Sequence, residues 1–138
     1  MFDFGFHHNW LNAEHVIDQW TSYFNDGDLE GISKMYHKES SLLPTFLPKI
    51  LNTQAEIKDY FAKAKEGGVT VELSLTDFAI KRISDDIAMV TGSYTFKLES
   101  KGGSKYLSWF TFLLDLREKS PIKHHHSSRV PFEFALGR

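Results

Sequence analysis

Imidazole and hydroxyl groups are most concentrated in the run HHHSS, residues 124–128. In an extended strand residues two apart share a face, so Ile122, His124 and His126 point one way and Lys123, His125 and Ser127 the other. With Ile122 turned inward and Lys123 toward water, this spacing predicts that His124 and His126 line the interior and that His125 faces away. Two histidines at i and i+2 can reach one zinc ion, but a structural site needs four ligands. The sequence has no HExxH and no cysteine, and His7, His8, His15 and His37 are scattered, so no metal is expected. A serine nucleophile needs a sharp turn, whereas Ser127 and Ser128 continue a strand and point apart. Acid–base and binding chemistry remain. His126 is the candidate base, its pKa suited to moving a proton near neutrality, with the Tyr23 and Tyr60 hydroxyls to hold its ring. Trp20, Tyr94, Trp109 and His124 are the candidate wall of a ligand pocket. Carboxylates are scarce on the inferred inner faces: Asp115 lies near a strand end, Asp77 at a change of phase, and Arg82 stands alone.

These groups sit in a chain of 138 residues, 41% hydrophobic and 14% aromatic with 12 Phe, which is the composition of a folded domain with a real core. We read one domain over 1–138, with an N-terminal arm at 1–9 and a C-terminal tail at 132–138. A net charge of −2 without a basic cluster argues against nucleic acid and against an anionic membrane as partners. The absence of cysteine excludes disulfides and thiolate chemistry. No stretch approaches the roughly 20 apolar residues of a membrane span, and the start has no signal-peptide pattern. The expectation is a cytoplasmic protein without a cofactor.

The elements that must position the candidate residues follow from periodicity. Ala13, Val16, Ile17, Trp20 and Phe24 recur at helical spacing, Gly27 ends that helix, and Asp28 caps the next, whose stripe is Leu29, Ile32 and Tyr36. A brief strand at SLLP follows, and Pro44 ends it. Thr53 and Glu56 form a capping box for a third helix carrying Ile57, Tyr60, Phe61 and Ala64, stopped by Gly67 and Gly68. From Val69 the period is two. The apolar phase slips near Thr76–Asp77, which predicts a β-bulge. In YLSWFTFLLDL both faces are apolar: Leu107, Trp109 and Leu113 on one, Phe110, Phe112 and Leu114 on the other. Helices cover one face only, so Phe110, Phe112 and Leu114 are assigned to a dimer interface, to which the Phe2, Phe4 and Phe6 of the arm would add.

Three helices before a curved, mostly antiparallel sheet make an α+β cone with the helices on the concave side. The motifs GDLEGISKMYHKESSLLPT, DYF at 59–61, GSYTF at 92–96, WFTFLL at 109–114 and HHHSSRVP at 124–131 resemble the nuclear transport factor 2-like superfamily. Within it they are most similar to the SnoaL-like group and to bacterial single-domain relatives of the calcium/calmodulin-dependent protein kinase II association domain. The resemblance implies a cone-shaped barrel, a homodimer or larger ring, and a pocket between sheet and helices. It does not imply one reaction. Relatives commonly carry an Arg where this chain has Trp109, so the pocket is expected to be more aromatic and less basic. The expected function is an oligomer-forming domain whose cavity binds a small, partly aromatic or carbonyl-bearing ligand. The alternatives are a small cyclase, isomerase or dehydratase using His126 with Tyr hydroxyls, and a purely structural assembly module.

Overall fold

The computed structural model describes residues 10–131. The chain runs α1 (Ala13–Asp26), α2 (Leu29–Lys34), β1 (Tyr36–Leu43), α3 (Gln54–Glu66), β2 (Val69–Arg82), β3 (Ile87–Leu98), β4 (Ser104–Asp115) and β5 (Ile122–Arg129). Local chemistry sets the helix ends. Asn12 and Asp28 accept amide hydrogens from His15 and Gly31 at 2.8 and 2.9 Å, and Gly27 closes α1 in the left-handed region at φ 69°. The capping box at Thr53 forms as expected, with the Glu56 amide donating to Thr53 Oγ1 at 3.1 Å and Glu56 Oε1 accepting from the Asn52 amide at 3.0 Å.

The five strands form one mixed sheet in the order β1-β5-β4-β3-β2, with β1 and β5 parallel and the other pairs antiparallel. It is an open, curved sheet, with β1 and β2 as its edges. The β2–β3 register slips between Leu73 and Phe78, where the change of apolar phase placed a bulge. Opposite that slip lies Gly92, at which a Cβ would come within 2.4 Å of the Asp77 carbonyl oxygen, so the bulged backbone can approach only a glycine.

Three expectations are corrected. Tyr36 is the first residue of β1 and not the last turn of α2, because the helix ends at the Met35 cap. Phe110, Phe112 and Leu114 are 2%, 0% and 0% exposed and pack in the core on the helix side, so they are not an outer interface. The reason is register: Val90 and Tyr94 of β3, fully buried, stand opposite Phe112 and Ser108, which fixes that face of β4 as the inner one. The outer face then carries Leu107 and Trp109, 46% and 47% exposed, with Leu113 half-buried. Third, the histidines are one residue out of the expected phase. Leu114 pairs with Ile122 but Leu113 pairs with His124, leaving Lys123 as an unpaired extra residue. This bulge lets Ile122 and His125 both face inward, while His124 and His126 face outward. The arm at 1–9, and with it the interface role given to Phe2, Phe4 and Phe6, lies outside the described residues.

The core fills the concavity. Trp20 and Phe24 of α1, Phe61 of α3, Tyr94 and Phe96 of β3, and Phe110 and Phe112 of β4 meet in edge-to-face and tilted ring contacts 4.7–6.4 Å between centroids, and Ile57 of α3 is buried in the same core. Over the open end of the cone runs the loop 44–50, closed at its base by two hydrogen bonds of 2.9 Å between Leu42 and Leu51. Its Phe46 packs edge-on against Phe96 and Tyr106 at 5.4 and 5.5 Å and plugs the mouth.

Candidate functional site

Beneath that plug the sheet and α1 bring together a polar chain inside an aromatic core. His125 is 2% exposed. Its ring stacks on Phe112 at 3.9 Å and 17°, and Trp20 meets it edge-on at 5.5 Å. The direction of each hydrogen bond can be worked out from one end. An indole N–H only donates, so Trp20 Nε1 gives its proton to the Tyr36 hydroxyl at 3.0 Å. The single Tyr36 proton then goes to His125 Nδ1 at 2.8 Å. A neutral imidazole that accepts at Nδ1 carries its proton on Nε2, which donates to the Tyr94 hydroxyl at 3.0 Å. Tyr94 donates to Ser127 Oγ at 2.6 Å. Ser127 continues to the Thr45 hydroxyl, and Thr45 donates to Ser108 Oγ at 3.4 Å.

Burial and neighbours keep this chain uncharged. Burial, reinforced by the adjacent His124 and His126, holds the His125 imidazole well below its usual range. Burial also pushes the Tyr36 and Tyr94 phenols far up. Tyr60, at the mouth, is raised by burial to about 12. The void around His125, Tyr60, Tyr94 and Ser127 is only about 10 Å³, room for one water at most. No carboxylate lines it. His125 is therefore a neutral imidazole with both nitrogens occupied and no free volume for a reacting group.

The other candidates are dispersed. Trp20 and Tyr94 join the chain, and Tyr60 lies above it. Tyr23 sits at the α1–α2 corner against Gly31, away from the chain. Trp109 is on the outer face. His124 bonds there to Ser41 at 2.7 Å, and burial lowers its imidazole somewhat, while His126 is exposed. Asp77 accepts from Ser93 at 3.3 Å, and Asp115 holds Arg117 through a two-pronged contact of 3.1 and 2.9 Å. Among the described residues no three His, Asp or Glu come together as a metal site. Sequence reasoning missed Tyr36, Thr45, Ser108, Ser127 and His125. The available signal was the buried strand β3, whose alternation aligns Tyr94 with whatever faces inward on β4 and β5.

On the α3 side of Phe46 the cone mouth opens into a cavity of about 460 Å³, walled by Phe46, Leu51, Tyr60, Ala64, Val69 and Leu98. Its volume is in the range of small-molecule sites.

An open curved sheet cradling three helices, with a plugged mouth and a mostly aromatic interior, is the cone of the nuclear transport factor 2-like class. The chain belongs to the calcium/calmodulin dependent protein kinase II association domain family, whose model matches residues 12–131. A candidate association domain of this kind from Xanthomonas campestris is similar at 25% identity and a TM-score of 0.78, over 88% of this chain and 87% of that one. A nuclear transport factor 2-like protein of unknown function from Shewanella oneidensis matches at 23% identity and TM-score 0.65, covering 82% and 93%. A candidate dehydratase of the same fold from Streptomyces avermitilis matches at 16% identity and TM-score 0.72, covering 84% and 91%. No curated protein matches the chain. No helix among the described residues is long and apolar enough to cross a membrane.

Proposed function

We propose that this chain is a self-associating domain that pairs with a second copy through the outer face of its sheet and holds a small, partly aromatic ligand in the cavity beside Tyr60. The observation that carries this reading is Trp109, 47% exposed at the centre of the sheet next to the exposed Leu107. Both stand on β4, whose opposite face is already filled by the core. Leu113 and Met89, paired across strands, extend the patch toward one end. Lys97 and Lys105, also paired, mark its charged limit at the other. Exposed apolar side chains grouped on one face of an otherwise complete fold are the usual mark of an interaction surface. Family membership in the association domains supports the same partner, another copy of the chain.

Support for the ligand comes from the mouth cavity, whose apolar walls carry the Tyr60 hydroxyl and the charged Lys49, Glu56, Asp59 and Lys63. The closed hydrogen-bond chain around His125 favours binding over catalysis there, since that imidazole has both nitrogens occupied and a void of only about 10 Å³ beside it. Multi-angle light scattering at micromolar concentration tests the assembly. The wild type is expected to run as a dimer or larger species and Trp109→Glu as a monomer with unchanged circular dichroism. A monomeric wild type, or a variant that assembles as before, would remove the proposal.

A further inference from the structure

The loop that carries Phe46 has a second side. There, between the loop and the starts and ends of β4 and β5, lies an open cleft of about 840 Å³ that is separate from the Tyr60 cavity. Its apolar walls are Pro44, Phe46, Ile50 and Leu98, and Thr45, Ser127 and Ser128 add hydroxyls. Its charge is one-sided. Lys49, Lys101, His126 and Arg129 line it, and no Asp or Glu does, in a chain whose net charge is −2. Lys49 is offset by Glu56 at 3.2 Å. Arg129 and Lys101 have no carboxylate within ion-pair reach among the described residues. The Arg129 guanidinium is instead held 4.7 Å over the Tyr106 ring. Stacking of this kind restrains a flexible side chain and leaves the N–H edges of its planar fork for an acceptor.

We propose that this cleft binds a small organic carboxylate with an apolar body. The carboxylate meets the Arg129 fork, with Lys101 adding charge and the Ser128 hydroxyl completing its hydrogen bonds, and the body lies against Phe46, Ile50 and Leu98. A fork matches a planar carboxylate in two parallel hydrogen bonds. The apolar wall gives a bare inorganic anion nothing to cover, which selects for a molecule with a body. This inference does not depend on self-association or on the ligand of the Tyr60 cavity, because Arg129 and Lys101 line neither.

Isothermal titration of the full chain with 2-naphthoate and with the uncharged 2-naphthamide tests it. The acid is expected to bind about tenfold more tightly than the amide at low salt, with the advantage shrinking as salt is raised. Arg129→Gln should weaken the acid roughly three- to tenfold and leave the amide unchanged, while Arg129→Lys, which keeps charge but loses the fork, should recover only part. Lys101→Gln, at an exposed turn, should weaken the acid by a smaller factor and carries the test should Arg129→Gln fail to fold. Equal binding of acid and amide, acid binding unchanged in both charge-removing variants, or equally tight binding of inorganic phosphate would overturn the proposal.

Discussion

A substitution at His125 tests the buried hydrogen-bond chain through its dependence on pH. In the unfolded chain an imidazole takes up a proton below its ordinary value of 6.5, whereas the buried His125, held well below that value, does not. The unfolded state therefore binds more protons as the pH falls, and stability rises with pH up to about 6.5 and then levels. For a group that stays neutral when folded, the loss between pH 7.5 and 5.5 is about 1.4 kcal/mol. His125→Phe preserves the stack on Phe112 and the edge contact of Trp20 but strips both nitrogens. Tyr36 then has no acceptor for its proton and Tyr94 loses an incoming donor, which together cost about 2–4 kcal/mol at pH 7.5. Urea denaturation at fixed protein concentration should thus show the variant less stable at pH 7.5 and the gap narrower by about 1.4 kcal/mol at pH 5.5. His124, lowered by partial burial, gives both proteins a shared slope of the same sign that cancels in the difference. The lowered carboxylates, with ordinary values of 3.8 and 4.5, lose their contribution mainly at lower pH. Parallel pH curves for the two proteins, or a variant as stable as the wild type at pH 7.5, would refute the neutral, fully bonded His125.

Gly92→Ala should destabilise by about 1–3 kcal/mol or more, measured by thermal unfolding, because the added Cβ meets the Asp77 carbonyl at 2.4 Å and the Phe110 ring at 2.9 Å. Asp115→Asn should cost about 1 kcal/mol at pH 7, since Asp115 is nearly buried and receives the Arg117 guanidinium. The folded Asp115 is lowered from 3.8, first by its Arg117 hydrogen bonds, so its contribution is present above 3.8 and lost as the pH falls through the folded value. Acid titration of the two proteins should therefore bring their stabilities together below that point.

Much of the framework was legible because it rests on local chemistry. The Thr53–Glu56 box, Gly27 and Asp28 act within a few residues of themselves, and the phase slip in β2 is visible as two apolar residues in the wrong parity. The candidate site was less so. Tyr36 continues the helical stripe of Ile32 at i+4, so periodicity could not separate it from β1. In β4 both faces are apolar, and only the pairing with β3 decides that Phe112 is inside and Trp109 outside. In β5 the inward residue depends on a bulge at Lys123, which compensates a mismatch with a strand far away in sequence and leaves no local mark. The residues of the polar chain come from α1, β1, β3, β4, β5 and the loop 44–50, so their meeting is a property of the packed whole.

The bulge at Lys123 bears on how β5 finds its alignment. HHHSS is nearly unchanged when slid by one: the inward place of His125 would pass to another histidine, and that of Ser127 to Ser128 or His126. Five adjacent positions thus carry little information about where the strand belongs. An antiparallel strand displaced by one residue turns its whole buried set to the other face. Here such a displacement would still present an imidazole to Tyr36 and Tyr94, so the polar chain is a weak judge of correct pairing. The discriminating residue is Ile122, fully buried against Tyr36 and Leu114 at the start of the strand. Sliding would expel it and draw the neighbouring lysine toward the core. The safeguard against slippage is therefore one isoleucine beside one unpaired lysine, and not the histidine triplet that follows them.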